Sequence, residues 1–125
     1  MTRGIITISV KASIIDAINK MVKYNIGSLV VKRGNEFVGI ITERDILKIC
    51  SKENIYAPDL TVGKIMNFPL ITIEAEAPIG IASQLMEDKG IRRLLVEKDN
   101  QIIGIITQKD VLKETLKIFK ALHSN

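Results

Sequence analysis

Two short phrases, GIITERD and GIITQKD, each place a Thr and an Asp three positions apart where a helix is expected to begin. The first N–H groups of a helix lack intrahelical partners, and the helix dipole adds a partial positive charge, so a phosphate is stabilised there. A Thr hydroxyl can donate one further hydrogen bond to it. An Asp carboxylate only accepts hydrogen bonds, which suits the two hydroxyls of a ribose. These candidate nucleotide contacts are Thr42 and Asp45 in the first phrase, and Thr107 and Asp110 in the second.

The same spacing also has a purely structural interpretation. Thr followed by Asp three residues later is a capping box, in which the Thr side chain accepts from the third N–H of the helix and the Asp reaches back. Each such cap stabilises a protein by about 1 kcal/mol. The two roles can coexist at the Thr, but they compete for the Asp, and the residues alone leave both open.

Residues for other kinds of chemistry are scarce. The chain has one His, His123, and one Cys, Cys50, which excludes Ser-His and Cys-His nucleophile pairs and any clustered zinc site. Cys50 ends the apolar phrase ILKIC, which favours a buried and unreactive thiol. We therefore expect no enzyme activity, no catalytic cofactor and no metal.

Composition bounds the class of protein and its partners. No apolar run in the 125 residues approaches the roughly 18 that a membrane helix needs. The first residues lack the features of a secretory signal, so a cytoplasmic protein without membrane contact is expected. The formal net charge of +4 mildly favours anionic partners. Aromatic residues make up only 4% of the chain and no basic stripe is evident, so nucleic acid is a less favoured partner.

The chain is an internal duplication. The two phrases begin at Gly39 and Gly104, a spacing of 65 residues, and the same shift aligns most of the sequence without a gap. ITISVKASIIDAINKM, from Ile6, falls on ITIEAEAPIGIASQLM, from Ile71, and IGSLVVKRGNEFVGIITERDILK falls on IRRLLVEKDNQIIGIITQKDVLK. Two copies of one supersecondary unit are therefore expected.

Each copy has the pattern β-α-β-β-α. A short strand leads to a helix that Ser13 begins in the first copy and Pro78 in the second. A hairpin and a second helix follow. We place the copies at residues 1–58, with the start of a linker, and 59–125. One three-stranded sheet cannot cover both of its faces, so an α/β (α+β) fold is predicted, in which the copies pack sheet to sheet with pseudo-two-fold symmetry and helices outside.

The paired phrases, each closing a hairpin and opening a helix, resemble the CBS (cystathionine-β-synthase) domain. IGSLVV and IRRLLV are similar to the preceding strand of that family, and TVGKIMNFPLITIEAEAPI is similar to the opening of a repeat, although the first copy lacks this lead-in. The resemblance covers residues 4 to about 115. It implies a stand-alone tandem CBS pair, or Bateman module, that forms a homodimer, has no catalysis of its own and binds AMP, ADP, ATP or S-adenosylmethionine as a regulatory ligand.

The resemblance also implies roles for individual residues. Backbone groups of residues 6–8 or 71–73 would contact the adenine edge, and a basic side chain at Arg93 would face the phosphate. The second copy is the better candidate, because a guanidinium binds two phosphate oxygens whereas Ser28, its counterpart, donates one neutral hydrogen bond. The expected nucleotide contacts are Arg93, Thr107, Lys109, Asp110, Ile71 and Ile73 in the second copy, and Ser28, Thr42, Arg44, Asp45, Ile6 and Ile8 in the first.

The sequence is compatible with three functions. The leading one is a sensor of adenosyl ligands that signals to an effector protein, which must read a difference in ligand affinity between two states. The second is a structural adaptor or dimerisation module without ligand, and the third is nucleic-acid binding. The last helix places apolar side chains near one face, for the core, a second copy or a partner: Val111, Leu112, Leu116, Phe119 and Leu122.

Overall fold

The computed structural model describes residues 2–123 and, among these, the side chains of residues 4–123. The predicted β-α-β-β-α order is confirmed in each copy, with one further strand before the first copy and one short helix between the copies. In chain order the elements are β1 (Thr2–Arg3), β2 (Thr7–Ser9), α1 (Ile14–Tyr24), β3 (Ser28–Arg33), β4 (Glu36–Thr42), α2 (Glu43–Cys50), α3 (Val62–Ile65), β5 (Thr72–Glu74), α4 (Ile79–Lys89), β6 (Arg93–Lys98), β7 (Gln101–Thr107) and α5 (Gln108–His123).

The first helix of each copy starts and stops where its sequence indicates. The Ser13 hydroxyl accepts a hydrogen bond of 3.0 Å from the Asp16 N–H, which satisfies one unpaired donor of α1. Pro78 stands immediately before α4. The two helices end at Asn25 and Gly90, whose φ angles of 51° and 63° lie in the left-handed region that terminates helices.

Contacts within the chain divide it into two units. The first unit comprises Ile6–Leu70, and the second comprises the chain from Ile71 onward together with the residues before Ile6. The sequence places the boundary between the copies after residue 58, whereas these contacts place it after Leu70. The segment TVGKIM, expected to open the second copy, therefore belongs to the first unit.

Hydrogen bonds explain why this segment stays with the first unit. The Gly63 N–H donates to the Val10 carbonyl at 2.9 Å. Asn67 and Ile40 exchange two backbone hydrogen bonds, of 2.8 and 3.0 Å, which adds a bridge to the edge of β4. Because buried backbone groups need partners, the segment satisfies an edge that would otherwise be unpaired.

Strand β1 has the corresponding role in the second unit. Thr2 pairs with Ile105 on β7 in antiparallel register, as Asn67 pairs with Ile40. The two pairs are related by the 65-residue spacing of the duplication. The segment that precedes each copy thus pairs with the hairpin of the other copy.

Each unit has its own sheet and its own core, and the mixed α/β class is confirmed. The strand order is β2-β3-β4 in the first unit and β1-β7-β6-β5 in the second, with one parallel pair (β2 with β3, β5 with β6) and one antiparallel hairpin in each. Alternate strand residues and one side of each helix form the cores. Buried members are Ile14, Leu29, Val31, Ile41 and Val62 in the first unit, and Ile73, Ala82, Met86, Leu94, Val96 and Val111 in the second.

Two apolar sequences on helices are less buried than their composition suggests. Cys50 is exposed, contrary to the prediction, because it ends α2, whose inward side is provided by Ile46 and Ile49. On α5, Val111 is in the core, but the remaining apolar side chains of the predicted face are exposed by half or more. Of the roles predicted for this face, contact with a second copy or with another partner therefore remains for Leu112, Leu116, Phe119 and Leu122.

We predict that Gly39→Ala lowers the free energy of unfolding by about 1–3 kcal/mol, because it overpacks a close contact. A Cβ at Gly39 would lie 2.5 Å from the Met66 sulfur and 2.8 Å from the Asn67 carbonyl oxygen. Urea denaturation measures the change. Gly80→Ala on α4 is the matched control, since a Cβ there meets nothing within 4 Å and should raise stability by about 0.5 kcal/mol. Equal stabilities of the two variants would contradict the docking of the lead-in segment against β4.

Candidate functional site

A closed hydrogen-bond ring joins the end of β4 to the start of α2. The Thr42 N–H and hydroxyl donate to Asp45 Oδ2 at 2.8 and 2.9 Å, and the Asp45 N–H donates to Thr42 Oγ1 at 3.3 Å. Thr42 is the one buried polar residue among the side chains of residues 4–123, with 8% exposure. The predicted capping box is confirmed, and it holds the hairpin against the helix.

The same ring recurs at the start of α5. The Thr107 N–H and hydroxyl donate to Asp110 Oδ2 at 2.8 and 3.0 Å, and the Asp110 N–H donates to Thr107 Oγ1 at 3.2 Å. A Thr hydroxyl has one proton, and in this arrangement that proton points to the carboxylate. The cap therefore uses the Thr donor that the sequence assigned to a phosphate.

The carboxyl group of Asp110 is held in its ionised form. Burial raises the pKa of this carboxyl group. Hydrogen bonds, among them those from the Thr107 backbone and side chain, lower the pKa by more than burial raises it, so the net pKa lies below the usual value for Asp. A carboxylate at this position can accept hydrogen bonds from a ligand's hydroxyls at neutral pH.

Most N–H groups in the first turn of α5 already have partners. The Gln108 N–H donates to the Arg92 carbonyl at 2.9 Å, and the Asp110 N–H to the Thr107 hydroxyl. Among the first three backbone N–H groups of α5, the N–H of Lys109 is the one that takes no part in these two bonds. The first turn of α2 repeats the arrangement, with bonds from the N–H groups of Glu43 and Asp45. The helix start alone is thus a weaker anion site than the sequence suggests, and charged side chains must supply the attraction.

Strand register places Arg93 beside Thr107. The two residues are direct cross-strand partners of β6 and β7, and both are partly buried. Side chains in such pairs lie about 4.5–5.5 Å apart at Cβ, so the guanidinium shares one end of the sheet with the capping ring. Ser28 and Thr42 form the equivalent pair in the first unit. Lys109 and Arg44, on the first turns of α5 and α2, are exposed.

Within the expected ranges 6–8 and 71–73, the middle residue has its backbone groups at the open edge of the strand. The Ile6 carbonyl accepts from the Val30 N–H at 3.1 Å, and in a parallel pair with this register Ile8 also bonds to β3. The backbone groups of Thr7 therefore face the open edge of β2. The Ile71 carbonyl likewise accepts from β6, which leaves Thr72 at the open edge of β5. The side chains of Ile8 and Ile73 point into the cores, and those of Ile6 and Ile71 are partly buried against them.

Two residues that the sequence reasoning did not single out contact the first-unit site. The Lys20 ammonium, on α1, donates to the Thr7 carbonyl. The Asn67 side-chain amide donates to Asp45 Oδ2 at 2.8 Å. The alignment of the two copies could have drawn attention to Lys20, because the second copy has Leu85 at the same position.

Two kinds of feature are absent from the part of the chain that the structure describes. Within residues 2–123, no three His, Cys, Asp or Glu residues are grouped closely enough to hold a metal ion. No helix in that range is both long and apolar enough to cross a membrane.

The CBS domain family model matches residues 1–52 and 62–117, one match for each copy. The chain therefore belongs to the CBS domain family, and with two copies it is a tandem CBS pair. The match, like the fold, confirms the resemblance of the two phrases and their hairpins.

Several proteins are similar to this chain over most of its length. An uncharacterised protein of Methanopyrus kandleri is 41% identical over 115 residues, which cover 89% of this chain and 58% of the relative. A mitochondrial CBS domain-containing protein of Arabidopsis thaliana is 37% identical over 106 residues, covering 81% of this chain and 52% of the relative. The chain thus spans little more than half the length of these two relatives.

Solved CBS structures share the fold. A CBS-domain protein of Burkholderia ambifaria superposes with a TM-score of 0.80 at 28% identity, covering 93% of this chain and 85% of that one. A CBS domain pair solved in complex with 5′-methylthioadenosine and S-adenosyl-L-methionine has a TM-score of 0.78 at 26% identity and covers 94% and 93% of the two chains. A hexameric CBS-CP12 protein from bloom-forming cyanobacteria has a TM-score of 0.81 at 27% identity, with 96% of this chain and 70% of that one covered.

We predict that Asp110→Asn lowers the free energy of unfolding near pH 7 by about 0.5–1 kcal/mol. This is the usual contribution of a helix N-cap, reduced because Asp110 is partly exposed to solvent. A folded-state pKa below the unfolded value contributes stability above the unfolded pKa, near 3.9, and loses it as pH falls through the folded pKa. The difference between the proteins should therefore shrink from pH 7 to pH 3 in urea denaturation.

Asp59→Asn, which removes a carboxylate from an exposed loop outside the capping rings, is the control and should change stability little. A difference between Asp110→Asn and the unaltered protein that persists unchanged at pH 3 would mean that the charge of Asp110 does not contribute to the cap.

Proposed function

We propose that this chain is a regulatory module that binds an adenosyl ligand, AMP, ADP, ATP or S-adenosylmethionine, and signals to an effector protein. The observation that carries the proposal is the group formed by Arg93, Thr107 and Asp110 at one end of the second unit. It combines a partly buried arginine with a carboxylate whose pKa is lowered, so that it is ionised at neutral pH. The CBS pair in complex with 5′-methylthioadenosine and S-adenosyl-L-methionine supports the ligand class.

The chemistry of each group matches a different part of such a ligand. The guanidinium of Arg93 suits a phosphate or a carboxylate, both of which it can bind with two hydrogen bonds, and Lys109 adds a second positive charge. Asp110 suits the ribose hydroxyls. Backbone groups of Thr72 at the open edge of β5 suit the adenine edge, in place of the neighbouring Ile71 and Ile73. The first unit offers the weaker set, namely Ser28, Thr42, Arg44, Asp45 and, in place of Ile6 and Ile8, the backbone groups of Thr7.

The ligand can alter signalling only through different affinities for two states of the module. Because the proposed contacts also close the capping ring, a ligand that draws Thr107 or Asp110 away would loosen the joint between β7 and α5. The effector would then detect α5 or the surface beside it. We propose no catalytic activity for this chain, and we place it in the cytoplasm.

A structural adaptor without ligand is the second candidate. One observation favours it: the Thr-Asp rings are complete within the protein, so stability alone accounts for them. Among the charged residues proposed for the second-unit site, Arg93 and Lys109 have no side-chain role in the capping ring. Measurements of ligand binding decide between the two functions.

We predict that calorimetric titration of ligand-stripped protein shows micromolar binding of at least one adenosyl ligand and none of GTP. Arg93→Ala should weaken binding of AMP, ADP or ATP at least tenfold, since charge-assisted hydrogen bonds contribute about 1.5–3 kcal/mol. The same variant should affect 5′-methylthioadenosine little, because that ligand carries no anionic group.

Arg92→Ala is the matched control, because Arg92 is the exposed neighbour of Arg93 and should leave every affinity unchanged. Absence of heat with all ligands, from protein shown to be folded, would favour the adaptor. Equal losses in the two arginine variants would remove Arg93 from the site.

We also propose that the chain forms a homodimer through the exposed apolar side of α5. Leu112, Leu116 and Phe119 are exposed by 65%, 52% and 58%, an apolar surface that a monomer seldom leaves in water. We predict that Leu116→Glu dissociates the dimer, as measured by sedimentation equilibrium. Tyr56→Glu, at an exposed loop position of the first unit, should leave it intact. A monomeric unaltered protein would contradict the proposal.

A further inference from the structure

A basic stripe, which the linear sequence does not make evident, forms along one side of α5. Its members are four exposed lysines spaced four, four and three residues apart: Lys109, Lys113, Lys117 and Lys120. With about 3.6 residues per turn, these positions lie within about 80° of arc and extend over about 16 Å of the helix. The lysine stripe therefore presents a row of ammonium groups to the solvent.

The stability of the helix does not explain the lysine stripe. Like charges three or four residues apart repel each other on a helix, and a lysine in the first turn, such as Lys109, opposes the helix dipole. Within residues 4–123, the one ion pair of the stripe joins Lys117 Nζ to Glu114 Oε1 at 3.4 Å. Both side chains are exposed, so this pair contributes little. Because the fold gains little from these charges, an oppositely charged partner accounts for them better.

The first copy has no such stripe. Its helix α2 ends at Cys50, so the positions equivalent to Lys117 and Lys120, which are Lys52 and Ile55, lie beyond the helix. Within α2, two acidic and two basic residues balance each other, whereas α5 has four lysines and two acidic residues. The lysine stripe is thus a property of the second copy, which also has the better set of proposed ligand contacts.

The neighbours of the lysine stripe restrict the shape of its partner. The carboxylates of Asp110 and Glu114 border it on one side, and the apolar side chains assigned to the dimer lie on the other. A broad anionic surface, such as a membrane or a nucleic-acid duplex, would meet those carboxylates as well and be repelled by them. A narrow acidic segment of a protein would meet only the ammonium groups.

We propose that the lysine stripe of α5 is the docking surface for an acidic segment of the effector protein, whose carboxylates are spaced to match the lysines. This inference rests on the proposed function, which supplies the effector, and adds the chemistry by which the effector is recognised. Charge complementarity of this kind gives specificity and speeds association, and its strength falls as the salt concentration rises.

The lysine stripe begins inside the proposed ligand site. Lys109 is a proposed contact of an anionic ligand, and Lys113 is its neighbour one turn along the helix. A bound phosphate would neutralise the first lysine and repel the carboxylates of the docked segment. AMP, ADP or ATP should therefore weaken docking of the effector, and by reciprocity the effector should weaken nucleotide binding by the same factor.

The test uses two synthetic helical peptides as probes. Both are rich in alanine and contain four glutamates, which follow the spacing of the lysines in the matched peptide and are distributed around the helix in the scrambled one. Fluorescence anisotropy should show that the matched peptide binds at least fivefold more tightly than the scrambled one. Raising the ionic strength from about 0.1 M to about 1 M should weaken its binding at least tenfold, because the Debye length falls from about 10 Å to about 3 Å.

Two triple variants separate the lysine stripe from the general charge of the chain. The stripe variant replaces three of its lysines: Lys113→Gln, Lys117→Gln and Lys120→Gln. It should weaken the matched peptide at least tenfold and leave the dimer and the affinity for nucleotides unchanged, since none of these lysines is a proposed ligand contact. The control variant removes the same charge from exposed positions of the first unit and should leave the peptide affinity unchanged: Lys11→Gln, Lys48→Gln and Lys52→Gln.

The outcomes separate the docking surface, the coupling and the proposed function. Equal binding of the two peptides, or equal losses in the two triple variants, would overturn the docking surface. It would also be overturned if the matched peptide did not bind, and the stripe variant instead lost binding of duplex DNA or of phosphatidylglycerol–phosphatidylcholine vesicles. A peptide affinity that ATP leaves unchanged, in protein shown to bind ATP, would overturn the coupling. Absence of binding of every adenosyl ligand would refute the proposed function, while the peptide comparison would still decide the docking surface.

Discussion

The start of a helix directly after a β-hairpin leaves backbone N–H groups that neither element can satisfy, and most other features of the site depend on how this chain satisfies them. Thr and Asp three residues apart close a ring of three hydrogen bonds at each of the two joints. The ring fixes the direction in which the helix leaves the sheet. It also gathers a carboxylate, a hydroxyl and a helix start at one point, which is why a structural device and a ligand site can share residues.

In the proposed function the capping ring and the ligand site share residues, which has a physical consequence for signalling. A group that stabilises the fold can bind a ligand only by weakening or extending its internal hydrogen bonds, so binding and local stability are linked. Where a guanidinium stands beside the ring, as Arg93 does beside Thr107, an anionic ligand has a compensating attraction.

The two copies are not independent halves. The segment before each copy pairs with the hairpin of the other, through Thr2 with Ile105 and Asn67 with Ile40. Neither hairpin edge is then left unpaired, and each unit requires a piece of chain that lies outside its own repeat. In the first unit this exchanged segment also brings the Asn67 amide to Asp45, so the connection between the copies reaches into a candidate site.

The sequence by itself determined the duplication, the β-α-β-β-α order, the helix starts at Ser13 and the Thr-Asp pairs, and the family, because turns, caps and periodicity are encoded in residues a few positions apart. Register along the hairpin then places Arg93 beside Thr107. Only the tertiary structure decided which segment completes which unit, that Cys50 is exposed, and that Thr7 and Thr72 rather than their Ile neighbours face the open strand edges. The contacts of Lys20 with Thr7 and of Asn67 with Asp45 were also decided by the tertiary structure alone. They join residues 13 and 22 positions apart, and such pairs are chosen by packing of whole elements, which no local pattern specifies.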